Sequence, residues 1–154
     1  MEIAVAKDSD AKRWDEYVNQ YTHASPYHLF AWKQSIESAY GQRSFYLMAL
    51  DNRDRIIGIL PCILIKPPVG YATLCSLPYC DRGEALGDSP EIVDTLIAEA
   101  RSLRRQLKAH RYQYRSTKLT AYEFNNQSRR TPPHKVRMVL ALPETSKLLF
   151  AGFK

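Results

Sequence analysis

Ser44-Phe45-Tyr46-Leu47-Met48-Ala49-Leu50-Asp51-Asn52-Arg53-Asp54-Arg55-Ile56-Ile57-Gly58-Ile59-Leu60-Pro61-Cys62-Ile63-Leu64-Ile65 decides the fold. Two apolar runs, Ser44 to Asp51 and Arg55 to Ile65, flank Asn52-Arg53-Asp54, whose residue types favour a hairpin. Pro61 costs a ladder hydrogen bond, so it predicts a bulge or an edge position.

Upstream of the hairpin, Ile3 to Ala6 reads as a short strand. Asp8, Ser9 and Asp10 are helix caps, and Trp14, Tyr17 and Val18 follow at helical spacing, giving a helix from Ala11 to Gln20. Ser25-Pro26 supplies a cap and a first-turn proline. A second helix, Leu29 to Tyr40, carries Leu29, Trp32, Ile36 and Tyr40 on one face and ends at Gly41. Downstream, Lys66 to Gly70 breaks the pattern, Tyr71 to Leu77 is a strand, and Pro78 to Gly87 is a loop without period. Ser89-Pro90-Glu91 starts a long helix reaching His110, with Ile92, Leu96, Ala100, Leu103 and Leu107 as its apolar face. Strands are expected at Tyr112–Arg115, Leu119–Phe124 and Val136–Leu142, with a polar, basic loop from Asn125 to Pro133. Thr145 caps a final helix. With no repeat and no dividing linker, residues 1–154 read as one mixed α/β domain, its mainly antiparallel sheet flanked by helices.

The bulk numbers agree with one globular domain: 154 residues, 45% apolar and 25% charged. A net charge of +6 suits an anionic partner such as RNA, a phosphorylated substrate or a membrane surface, or equally a basic but otherwise ordinary surface. Cys62, Cys75 and Cys80 are odd in number and lack a C-x-x-C pair, which argues against disulfides and zinc. The first residues do not read as a signal peptide, and the longest apolar run is too short to span a bilayer. A cytoplasmic location is expected.

Nucleotide, metalloprotease and hydrolase motifs are absent. The four histidines, at 23, 28, 110 and 134, lack metal spacing. Three features remain. Arg101, Arg104, Arg105 and Lys108 share a face of the long helix, as an anion-binding stripe or as a solvated face. Ser76-Leu77-Pro78-Tyr79-Cys80-Asp81-Arg82-Gly83 follows a strand end, as a ligand loop or as a tight, self-capped turn. Arg115, after alternating Tyr112 and Tyr114, could clamp a carboxylate or phosphate, or pair with an acid of the sheet.

Taken in order, Trp14-x-x-Tyr17-Val18, Ala24-Ser25-Pro26-Tyr27-His28 with Trp32, Tyr40-Gly41, Ile57-Gly58-Ile59-Leu60-Pro61, Leu74-x-Ser76-Leu77-Pro78-Tyr79-x-Asp81-x-Gly83, Tyr114-Arg115, Lys135-x-x-Met138 and Phe150-x-x-Phe153-Lys154 resemble the N-terminal half of FemAB-related proteins. The branch most alike is the one associated with exopolysaccharide and exosortase loci. The resemblance implies a GNAT-like fold, the first of two in tandem. It implies aminoacyl or acyl transfer from aminoacyl-tRNA or another acyl donor to an amine of a cell-wall or saccharide acceptor, with no metal or redox cofactor. It also implies a C-terminal partner domain beyond Lys154, without which the chain is expected to be inactive. Trp32, Tyr79, Asp81 and Arg115 are expected near the acceptor. Simple acetyltransferases hold the coenzyme A pyrophosphate with an [RQ]-x-x-G-x-[GA] loop at a helix N-terminus. This chain has no such pattern, and Asp88 before the long helix would repel phosphate. The alternative is a non-catalytic domain that binds RNA or an anionic saccharide or lipid carrier.

Overall fold

The computed structural model describes residues 1–80, 82–116 and 141–153. The strands are β1 (Glu2–Val5), β2 (Arg43–Leu50), β3 (Ile56–Ile65), β4 (Thr73–Ser76), β5 (Leu86–Gly87) and β6 (Arg111–Gln113). The helices are α1 (Ala11–Asn19), α2 (Phe30–Tyr40), α3 (Pro90–Gln106) and a short α4 (Ser146–Ala151). Among the described residues the sheet runs β1-β2-β3-β4-β6, with β5 also on β3. All pairs are antiparallel except β4 with β6. The strands expected between 117 and 140 lie outside the described residues.

Alternation along β2 sets the two faces. Tyr46 and Met48 join Trp14, Val18, Phe30 and Ile36 under α1 and α2. Leu47 and Ala49 join Leu60, Leu74, Leu96 and Ala100 under α3. Gly58 lets α3 approach β3 closely: a Cβ there would lie 2.5 Å from Ile92 Cγ2 and 3.0 Å from Leu96 Cδ1. On α2 the face differs from expectation. Phe30, Lys33 and Ile36 are buried, whereas Tyr40 is exposed.

The turn between β2 and β3 is fixed by Asp51, whose carboxylate accepts the N–H groups of Arg53 (2.8 Å) and Arg55 (2.9 Å). These bonds, with Arg55's side chain, hold the Asp51 pKa down at about 2. Pro61 is neither a bulge nor at an edge. Tyr46 turns its carbonyl to the Ala6 N–H (2.7 Å), so Tyr46 and Pro61 form a pair without mutual hydrogen bonds. The missing N–H of Pro61 therefore faces the other flank, where β5 pairs only Gly58 and Ile59 and β4 begins at Cys62. The chain leaves the sheet at Leu77, which would have faced Pro61, through a left-handed φ of 47°. The register shift of this ladder lies nearer the turn, between Ala49 and Leu50. There the Ile57 carbonyl accepts the Asp88 N–H (3.0 Å), tying the start of α3 to β3.

The long helix ends earlier than its apolar pattern suggests. Helical pairing stops at Gln106 and Lys108 takes a left-handed φ of 54°. Lys108 and Arg111 therefore do not continue the face of Arg101, Arg104 and Arg105. Thr145 caps α4 as expected, accepting the Leu148 N–H (3.3 Å). Among the described residues no helix is long and apolar enough to cross a membrane.

Candidate functional site

In a sheet with parallel neighbours, ligands favour the crevice beyond the carboxyl ends of the strands. Here that crevice lies past Ser76 of β4 and Gln113 of β6, and the chain itself fills it. The Arg115 N–H donates to Ser76 Oγ (2.8 Å), and the Gly83 N–H donates to the Arg115 carbonyl (3.0 Å). The Ala85 N–H donates to the Tyr114 hydroxyl (3.0 Å). The backbone of residues 83–85 thus stands beside the diverging strand ends. A Cβ on Gly83 would lie 2.5 Å from the Ser76 carbonyl oxygen, so only glycine fits there.

His28 secures this loop from the other side. It is fully buried. Its Nε2 lies 3.0 Å from the Glu84 carbonyl, which can only accept, so Nε2 carries the proton. Nδ1 then accepts from the Ser25 N–H (3.1 Å) and hydroxyl (2.9 Å). Both ring nitrogens are satisfied in the neutral form. Burial pushes the His28 pKa down, against the pull of the Glu84 carbonyl. Arg82 adds a second tie, donating to the His23 carbonyl (2.7 Å) and to Glu84 Oε1 (2.6 Å).

Beside the loop lies a cavity of about 490 Å³, lined by Tyr21 and His23 after α1, the 82–89 segment, the first turns of α3, and Tyr114 and Ser116 after β6. Its charged lining is three carboxylates, Glu84, Asp88 and Asp94, against one guanidinium, Arg82. That guanidinium is already paired with Glu84. Glu84 Oε2 is buried with no hydrogen-bond partner among the described residues. Asp88 Oδ1 accepts from both Tyr17 (2.9 Å) and Tyr21 (2.5 Å), whose hydroxyls are 2.7 Å apart. Burial and the bonds to Asp88 push both phenol pKa values up, so both stay protonated donors. Among the described residues no group of three or more His, Cys, Asp or Glu is placed to hold a metal ion.

Of the residues expected near an acceptor, Tyr79 is exposed, held at a left-handed φ of 67° and stacked on Tyr40 at 4.8 Å. Trp32 packs edge-on to Tyr27 at 5.0 Å. Arg115 directs Nη1 to the Cys80 carbonyl (2.7 Å) and so clamps the loop. Asp81 lies outside the described residues. Tyr79, Trp32 and Arg115 do not line the 490 Å³ cavity. Arg101, Arg104 and Arg105 line a separate concavity, and Lys108 does not join them. Sequence reasoning missed Tyr17, Tyr21 and Glu84, and met Asp88 only as a charge that repels phosphate. The one available signal was the i, i+4 spacing of two tyrosines ahead of a distant aspartate.

No family model matches the chain, and no curated protein matches it. Solved structures do match. An acetyltransferase of Trypanosoma brucei aligns with a TM-score of 0.59 at 16% identity, covering 90% of this chain and 99% of that one. The ribosomal-protein-alanine N-acetyltransferase of Brucella melitensis biovar Abortus gives 0.57 at 9% identity, over 92% and 100%. An aminoglycoside 6'-N-acetyltransferase of Acinetobacter haemolyticus gives 0.54 at 14% identity, over 93% and 100%. The chain therefore has the GNAT-like fold, a mixed and mainly antiparallel sheet flanked by helices.

That fold implies acetyl-coenzyme A, and the residues present do not fit it. At the N-terminus of α3, Pro90 has no N–H to offer a pyrophosphate. Glu91 already takes the place of an anion there. Its pKa is lowered by the Ser89 hydroxyl and by its own N–H. Asp88 and Asp94 add negative charge, and residues 83–85 close the crevice beside β4.

Proposed function

We propose that this chain is the acceptor-holding domain of a FemAB-type acyl- or aminoacyltransferase of cell-envelope or exopolysaccharide biosynthesis. The donor, an aminoacyl-tRNA or another activated ester, belongs to a second domain. The GNAT-like fold supports the acyl-transfer class. The observation that carries the acceptor role is the 490 Å³ cavity, with Glu84, Asp88 and Asp94 against one paired arginine. A primary amine enters such a cavity as an ammonium, because three carboxylates in partly apolar walls favour a cation strongly. The unpartnered Glu84 Oε2 gains a donor when it binds. Tyr17 and Tyr21 hold Asp88 in place.

The amine must lose a proton before it attacks the ester carbonyl, and the domain contributes by fixing its position. Tyr79, with Tyr40 behind it, offers an exposed aromatic face for the rest of the acceptor. Asp81, two residues further along the chain, adds a carboxylate to the same loop. Trp32 and Arg115 act as supports.

The test is a titration of Nα-acetyl-lysine methylamide, an ε-amine probe, followed by amide NMR on the full chain. Shifts concentrated at Tyr21, Glu84, Asp88 and Val93, reduced at least severalfold in an Asp88→Asn/Asp94→Asn variant, are the expected result. Equal binding of the uncharged Nε-acetylated probe would remove the cavity as an amine site.

A further inference from the structure

We propose that the 490 Å³ cavity at the start of α3 takes a linear diamine, a molecule with two ammonium groups joined by several methylenes. This rests on the amine-site reading above and narrows it to a substrate class.

Charge sets the number of ammonium groups. Of the three carboxylates that line the cavity, Glu84 alone is paired with a cation, through Arg82. Arg82 also donates to the His23 carbonyl (2.7 Å), so its guanidinium is turned away from the other two. Asp88 is held by the phenols of Tyr17 and Tyr21, which are neutral donors and meet only Oδ1. They orient the carboxylate without compensating its charge, and Oδ2 is left to accept. Asp88 is exposed, and so open to a ligand. Asp94 is half-buried, and its carboxylate makes no hydrogen bond or ion pair among the described residues. Two negative charges thus line the cavity without a cation among the described residues. One ammonium neutralises only one of them.

The helix start does not account for both acids. The positive end of α3 favours an acid in its first turn, and Glu91 occupies that place, with its pKa lowered by the Ser89 hydroxyl and its own N–H. Asp94 lies beyond that turn, where the attraction has faded.

The walls set what joins the two charges. Leu86, Pro90 and Val93 line the same cavity, and such a surface favours methylenes over a hydrated ion. Asp88 precedes α3, and Asp94 stands a rise of roughly 6 Å past Pro90. A chain of several methylenes spans that interval with an ammonium at each end.

Amide NMR titration of the full chain at low salt tests the inference by comparing 1,4-diaminobutane with 1-aminobutane, which has the same carbon chain and one charge fewer. The diamine is expected to bind about tenfold or more tightly, with shifts concentrated at Tyr21, Gly87, Val93 and Asp94. Asp94→Asn should bring the diamine down to the level of the monoamine. Glu2→Gln, which removes the same charge on β1, should leave the preference intact. The comparison in the parent chain decides the outcome if Asp94→Asn does not fold. Equal binding of the two amines by the parent would overturn the diamine inference and leave the amine site standing, whereas binding of neither would overturn both. A preference that survives in Asp94→Asn, or that Glu2→Gln removes as well, would also overturn the diamine inference. So would full displacement of the diamine by magnesium ions at equal concentration, because the apolar walls would then select nothing.

Discussion

The N–H of Gly83 donates to the carbonyl of Arg115 across 3.0 Å, closing the sheet where β4 and β6 would part. Gly83→Ala would set a Cβ 2.5 Å from the Ser76 carbonyl oxygen and 2.8 Å from Leu77 Cβ. Both neighbours are rigid, so the loop must move. A loss of about 2–4 kcal/mol is expected in denaturant unfolding. Parent-like stability would mean that the loop does not fill the crevice.

His28 makes stability depend on pH. Its folded pKa lies below the unfolded value near 6.5. Above that value both states are neutral and the full stability is present. As the pH falls through it, the unfolded chain takes up a proton that the folded chain resists, so stability declines until the folded pKa is passed. Melting temperature should fall on acidification from about pH 7 toward about pH 5, and His28→Gln should flatten that part of the profile. An unchanged slope in the variant would assign the effect elsewhere.

Tyr17 and Tyr21 both donate to Asp88 Oδ1, and their hydroxyls lie 2.7 Å apart, so substitutions among the three should not add. A double-mutant cycle between Tyr21→Phe and Asp88→Asn is expected to give a coupling of about 1–2 kcal/mol in unfolding. A value near zero would contradict the 2.5 Å bond between them.

Gly58 measures how closely α3 sits on β3. Gly58→Ala meets the flexible ends of Ile92 and Leu96 rather than backbone, so the expected cost is smaller, about 1–2 kcal/mol. Relief is expected when Ile92→Val is added, because Ile92 Cγ2 is the nearest atom. Strictly additive losses in the pair would argue against that contact.

Much of the fold was legible because local chemistry and tertiary packing agree. The hairpin turn was visible in Asp51 to Arg55, the end of α2 in Gly41 and the start of α3 in Ser89-Pro90. The misreadings have physical causes. Pro61 looked like a defect because a sequence does not reveal which flank of a strand lacks a partner. The end of α3 was overrun because Leu107 and Ala109 remain apolar for packing beyond the last helical turn. The cavity was illegible because Tyr21 meets Asp88 across 67 positions and Ser25 meets Glu84 only through His28. Arg115 was conspicuous in the sequence, yet its fork is turned to the protein's own Cys80 carbonyl.

Whether this GNAT-like lobe receives an amine and not coenzyme A is tested most directly by calorimetric titration of the full chain with acetyl-coenzyme A. The prediction is that no saturable binding maps to the start of α3. Tight one-to-one binding that is lost when Gly87 or Ser89 is enlarged, accompanied by acetyl transfer to a free amine, would contradict it.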